Sequence, residues 1–166
     1  MYLLGMENFF TKKGAEYRLE GNITTKTKDK LFKFLEREKL DKLILDTSGG
    51  DIRASIEIVT EIKKRGLNPE IVIDNKAYSS GSFIFLSFKK RFVTKNSTLY
   101  IHDIKLNSAS PSKELREERK CYRRILLRLV ARNFNITDIE ADKMIKKGRM
   151  LSDNEIMKKL NARMLK

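Results

Sequence analysis

Ala77-Tyr78-Ser79-Ser80-Gly81-Ser82-Phe83 marks a place where an apolar strand ends in small polar residues and an apolar helix, Ser80–Phe88, begins. A serine at such a junction, Ser79, holds its hydroxyl at the carboxyl edge of a sheet. The next N–H, that of Ser80, belongs to a helix N-terminus, which favours developing negative charge. The same position suits an ordinary helix cap, because serine readily accepts from the first free amides of a helix. Upstream, Leu45-Asp46-Thr47-Ser48-Gly49-Gly50-Asp51 repeats the strand-to-helix pattern through two glycines, which let backbone donors come close to a bound oxygen. No dinucleotide or Walker-type glycine pattern is present, so this loop carries no nucleotide signature. Downstream, the sole histidine, His102, ends the apolar strand Thr98–Ile101. If an imidazole is the general base in this protein, it is this one.

Around these segments the front half alternates short apolar strands with helical patterns. Tyr17–Leu19, Leu43–Leu45, Ile71–Ile73 and Phe92–Thr94 read as strands, and Lys28–Glu38 and Ile52–Lys64 as helices. Strand following helix in this way implies right-handed crossovers and a largely parallel sheet. In the second helix Ile52, Ile56, Val59 and Ile62 share one face, as expected for a helix lying on a sheet. The back half changes character. Beyond the polar run Lys105–Ser112, a helix over Ser112–Arg132 carries Leu115, Tyr122, Ile125, Leu126, Leu129 and Val130 at helical spacing. The capping boxes Thr137-x-x-Glu140 and Ser152-x-x-Glu155 announce two shorter helices.

Composition narrows the function classes. The 166 residues make one domain's worth of chain, with 40% hydrophobic and 35% charged residues and only 8 Gly and 2 Pro, which excludes disordered and collagen-like classes. The longest strictly apolar run, Phe83-Ile84-Phe85-Leu86, is far short of the ~20 residues that cross a bilayer, and Met1–Met6 has neither the length nor the flanks of a signal peptide. Cys121 is the single cysteine, so no disulfide closes within the chain, and a reducing, cytoplasmic setting is expected. A net charge of +14 points to association with anionic partners without naming one.

In their order along the chain these segments resemble the proteolytic subunits of the Clp protease. Asp46-Thr47-Ser48-Gly49-Gly50 is similar to that family's Asn-Ser-Pro-Gly-Gly loop, and Ala77–Phe83 to its Ala-Ala-Ser-Met-Gly-Ala-Phe nucleophile segment. Asn96-Ser97-Thr98-Leu99-Tyr100-Ile101-His102 is similar to its Asn-Ser-Arg-x-Met-Ile-His strand, and Leu19–Thr24 to its early Leu-x-Gly-x-Val-Thr strand. The resemblance runs from about Tyr17 to Leu160. It implies an α/β fold of the ClpP/crotonase kind, stacked ββα units with a long projecting helix. One domain over 1–166 is expected: an N-terminal segment 1–14, a head 15–104, a handle loop and helix 105–135, and C-terminal helices 136–166. The resemblance further implies a serine endopeptidase in which Ser79 is the nucleophile and His102 the general base, with an oxyanion hole from the N–H groups of Gly49 and Ser80. A homo-oligomeric assembly of stacked rings, a Clp-type ATPase unfoldase and a polypeptide substrate are the implied partners. No metal, organic cofactor, membrane or nucleic acid is called for.

One part of the pattern fails. The family's triad acid precedes a Phe-Leu-Ser segment, and here Gly148 stands at that position in Lys147-Gly148-Arg149-Met150-Leu151-Ser152. Asp103 is a poor replacement, since neighbouring residues on a strand point to opposite faces. Asp138, Glu140, Asp142, Asp153 or a backbone carbonyl are left as groups that could orient His102. The alternative reading is a catalytically inactive subunit that keeps the fold and the assembly surface. On the long helix Arg116, Lys120, Arg124, Arg128 and Arg132 recur every fourth residue, a ridge that reads as a solvated or subunit-facing side.

Overall fold

A computed structural model describes residues 14–105 and 110–165; the expected N-terminal segment, Gly14 apart, and part of the handle loop lie outside the described residues. The elements are β1 Ala15–Ile23, α1 Thr25–Leu35, β2 Leu40–Gly50, α2 Ile52–Lys64, β3 Glu70–Tyr78, α3 Ser80–Leu86, β4 Arg91–Val93 and β5 Thr98–Ile101. The back half follows as α4 Lys113–Phe134, α5 Asp138–Lys147, β6 Arg149–Ser152, α6 Asp153–Leu160 and β7 Arg163–Met164.

The sheet runs β1-β2-β3-β4-β7, all parallel along that path. Parallel strands covered on both faces read as continuous apolar runs, and Ile71, Val72 and Ile73 of β3 are all fully buried. β3 has two partners on the same side. Ile71–Ile73 pairs with β4 and Lys76–Tyr78 with β5, and between them Asn75 turns through a φ of 85°. β2 shifts register against β3 between Leu45 and Thr47. The carboxyl half of β3 is thereby flanked by the end of β2 on one side and by β5 on the other, which brings three distant chain segments to one edge.

Helix boundaries follow local chemistry. α1 begins earlier than its periodicity suggests because Thr24 and Thr27 cap each other reciprocally, a threonine version of the capping box. On α2 the buried face is Ala54, Ser55, Ile58, Val59 and Ile62, while Ile52 and Ile56 are only half-buried; Ser55 is tolerated inside because its hydroxyl donates to the Asp51 carbonyl. α4 is buried only toward its C-terminal half, at Leu126, Leu129, Val130 and Ala131, and its first turns stand clear, with Leu115 45% exposed. Its basic side chains are partly engaged locally: Arg119 reaches the Ile104 carbonyl, and Arg123 pairs with Asp103 and Asp142.

β6 and β7 have no counterpart in the sequence reading. Only Leu151 of β6 is buried, and the segment becomes a strand by pairing antiparallel with β5, Tyr100 opposite Met150 and Ile101 opposite Arg149.

Several carboxylates are held below their ordinary range by the fold. Hydrogen bonds from Arg18 and then Thr94 lower Asp74, those from Lys146 and then Arg123 lower Asp142, and capping amides at Thr137 and Ser152 lower Glu140 and Glu155. A group whose pKa is depressed on folding contributes stability above its unfolded value and loses it as pH falls through the folded one. The melting temperature is therefore expected to hold from neutral pH to about 5 and to fall below about pH 4; a melting temperature unchanged at pH 3 would contradict these assignments.

Candidate active site

Ser79 sits between β3 and α3 with φ 53° and ψ −121°, a backbone conformation that L-residues rarely adopt. Strain of this kind persists only where the surroundings over-determine it. Here the Ser79 N–H donates to the Tyr100 carbonyl at 2.9 Å, and the Ser79 carbonyl accepts from the Ser82 N–H at 3.0 Å and the Ser82 hydroxyl at 2.6 Å. The side chain makes no capping hydrogen bond. The reading of Ser79 as an ordinary helix cap therefore fails, because the turn lifts the hydroxyl away from the amides it would otherwise satisfy.

The close approach of the β2 loop explains both glycines. A Cβ on Gly49, at φ 96°, would lie 2.6 Å from the Ser79 Cβ and 2.7 Å from the Tyr78 carbonyl oxygen; one on Gly50 would collide with the Ile23 carbonyl oxygen. Gly81 likewise lets α3 sit against the Thr47 methyl. Thr47 is fully buried and organises the loop: its Oγ1 donates to the Gly21 carbonyl and accepts from the Gly49 N–H at 3.0 Å.

Ser79, Ser80, Gly50 and His102 line one cavity of about 230 Å3, together with Phe83 and Leu126. The structure thus brings three of the four expected site residues to a shared space. Gly49 is the exception: it backs Ser79 from behind, its N–H is engaged by Thr47, and the neighbouring Gly50 takes its place in the cavity wall. A wider cleft of about 830 Å3 shares Gly50, Ile52, Ile104 and Lys105 with this cavity and is bounded by Arg53, Glu118 and Tyr122. Tyr122 and Arg53 both hydrogen-bond Glu118, which holds its carboxyl below the usual range. Ser80 is 3% exposed, and among the described residues its Oγ is the buried side-chain polar atom without a hydrogen-bond partner.

His102 Nδ1 lies 2.6 Å from the main-chain carbonyl oxygen of Asp103. A carbonyl oxygen can only accept, so this contact places the proton on Nδ1 and leaves the Nε2 lone pair as the basic site. Of the carboxylates considered from sequence, Asp103 lines the cavity with His102, and among the described residues no side-chain carboxylate hydrogen-bonds the imidazole. The Asp103 carboxylate turns to Arg119 and Arg123, Asp142 to Arg123 and Lys146, Glu140 to its own helix cap, and Asp153 to the Asn96 N–H; Asp138 is exposed. Among the described residues no group of three His, Cys, Asp or Glu side chains is placed to hold a metal ion, and no helix is long and apolar enough to cross a membrane.

The family model of the Clp protease matches residues 15–162, nearly the whole chain. The chain belongs to the Clp protease family. Among solved structures it is similar to a point mutant of ClpP1 from Listeria monocytogenes, with a TM-score of 0.76 and 20% sequence identity, covering 89% of this chain and 90% of that one. At that identity the likeness establishes the fold, which is the expected ClpP-like α/β architecture. No curated protein matches the sequence. Within this Clp protease fold, Tyr100 is a neighbour of His102 that sequence reasoning passed over. Its ring centroid lies 5.2 Å from that of His102, two residues on and just past the end of β5, and the spacing of two was the available signal.

Proposed function

We propose that this protein is a serine endopeptidase of the Clp kind. Ser79 Oγ attacks a peptide carbonyl, His102 Nε2 takes the hydroxyl proton and returns it to the leaving amine, and water then repeats the cycle on the acyl-enzyme. The reading is carried by one observation: a serine strained out of its capping role opens into the same small cavity as the only histidine. The oxyanion is assigned to the Ser80 N–H at the start of α3 and to the glycine loop through Gly50, in place of Gly49, whose amide is already engaged. The unpartnered Ser80 hydroxyl adds a rotatable donor beside that position.

The wider cleft is large enough for an extended polypeptide. A ring-shaped homo-oligomer that encloses the sites, and an ATP-driven unfoldase that feeds it, belong to the same proposal. Turnover is expected to be slow, since a triad without its acid loses on the order of four powers of ten in well-studied serine proteases. A fluorophosphonate probe, followed by peptide mass mapping, is expected to modify Ser79. An assembled protein left unmodified by the probe would favour the second reading, an inactive structural subunit, to which Gly148 at the acid position lends its weight.

A further inference from the structure

The place where the family's acid would stand is filled. Gly148 closes α5 at φ 76° and directly precedes β6, whose first residue, Arg149, lies opposite Ile101 of β5. A Cβ built on Gly148 would sit 2.6 Å from the Tyr100 hydroxyl oxygen and 3.3 Å from two carbons of its ring. The Tyr100 ring in turn lies beside the His102 imidazole, tilted by 35°. Tyr100 and a side chain at 148 therefore compete for one volume, on the Tyr100 ring that borders His102.

We propose that Tyr100 and the main-chain carbonyl of Asp103 together do the orienting work of the missing acid, the carbonyl holding the Nδ1 proton and the Tyr100 ring forming the wall that fixes the imidazole plane. This inference rests on the serine-peptidase reading for its catalytic consequence, though its geometric half stands without it. A triad acid does two things: it selects the tautomer and it stabilises the imidazolium. The carbonyl accomplishes the first at 2.6 Å. For the second it supplies only a dipole, because the Asp103 carboxylate is bound to Arg119 and Arg123. Tyr100 is thus a positioning residue; position 148 is fixed as glycine by its backbone, at φ 76° and ψ 136°, and a side chain there would in addition displace the phenol.

Two measurements test this. Because His102 is the only histidine, its ring nitrogens give unique signals in 15N NMR of the labelled protein. The wild type is expected to show the Nδ1–H tautomer, opposite to the Nε2–H form that free imidazole side chains favour. Tyr100→Phe keeps the ring and should keep that spectrum; Tyr100→Ala should give a mixture of tautomers. In parallel, the second-order rate of Ser79 modification by the fluorophosphonate should fall at least about tenfold in Tyr100→Ala and less than about threefold in Tyr100→Phe. Gly148→Asp alone should bring no gain, whereas Gly148→Asp combined with Tyr100→Ala should react faster than Tyr100→Ala. A wild-type spectrum dominated by Nε2–H, a Tyr100→Ala spectrum and rate like wild type, or an acceleration from Gly148→Asp alone would overturn the proposal. Should Gly148→Asp fail to fold, the Tyr100 pair and the spectra decide the matter. Absence of probe reaction in the wild type would instead sink the peptidase reading, leaving the tautomer measurement to judge the geometry.

Discussion

Ser79→Ala and His102→Ala are each expected to lower peptide hydrolysis by on the order of a hundredfold, the part of the triad's contribution that survives without its acid, and the double variant no further than the worse single one. Groups that act as a unit lose the whole pathway when either is removed, so their costs do not add. The structure supplies the reason to expect a unit: the two side chains line one cavity, and the lone pair left on His102 by its bond to Asp103 is the group able to take the serine proton. Neither change should disturb the fold appreciably. The Ser79 hydroxyl caps nothing, and the bonds that hold its turn are made by its backbone and by Ser82. Initial rates on a fluorogenic peptide, taken with thermal melts of the same preparations, check both halves. Strictly additive losses, or hydrolysis that survives Ser79→Ala, would show that the two residues do not form a catalytic pair.

Arg91→Met is expected to cost about 3–5 kcal/mol of folding stability, the largest stability effect of any side chain considered. Arg91 is 8% exposed, yet it faces carbonyl oxygens instead of an anion. Its Nε donates to the Phe85 carbonyl at 3.2 Å, one terminal nitrogen to Leu160 at 3.0 Å, and the other to Leu86 at 3.0 Å and to Asn133 Oδ1. These carbonyls are the last ones of α3 and α6, which have no partner within their own helices and carry the negative end of the helix dipole. One planar guanidinium therefore caps two helices at once, with Phe85 stacked beneath it. Burial and the nearby Arg132 push Arg91 down to about 10, which leaves it charged at neutral pH. Methionine matches its volume but takes the donor from the Phe85 and Leu160 carbonyls and from Asn133 Oδ1, each costing about 1–3 kcal/mol, while the Leu86 carbonyl keeps its bond from Asn133 Nδ2. Because α3 begins at Ser80, directly after the strained Ser79, the loss should reach the site as well. At this chain length the melting temperature should fall by roughly 10 °C, and Arg91→Lys should lie between, since an ammonium cannot span the same fork. A loss below about 1 kcal/mol would mean that the carbonyls find other donors.

Much of this was legible in the chain because it depends on local chemistry. The α2 and β5 boundaries, the caps at Thr137 and Ser152, and the strand-to-helix junction at Ser79 follow from short-range patterns of apolar residues, hydroxyls and glycines. The order of glycine loop, serine and histidine carried the family and the fold. What the same patterns missed shares one cause. β6 exists through its pairing with β5, the α2 face is trimmed by what packs on it, and Gly49 turned out to be engaged by Thr47, a contact that spacing alone does not reveal.

The sequence by itself determined which chemical groups are on offer: one imidazole, a serine at a helix start, a glycine pair and no acid at position 148. Only the tertiary structure decided which of these groups share a space. Pairing of β5 with β3 ties the Ser79 N–H to the Tyr100 carbonyl and sets Ser79 and His102 in one cavity, while Thr47 takes the Gly49 amide; contacts between segments distant in the chain leave no mark in short-range sequence patterns.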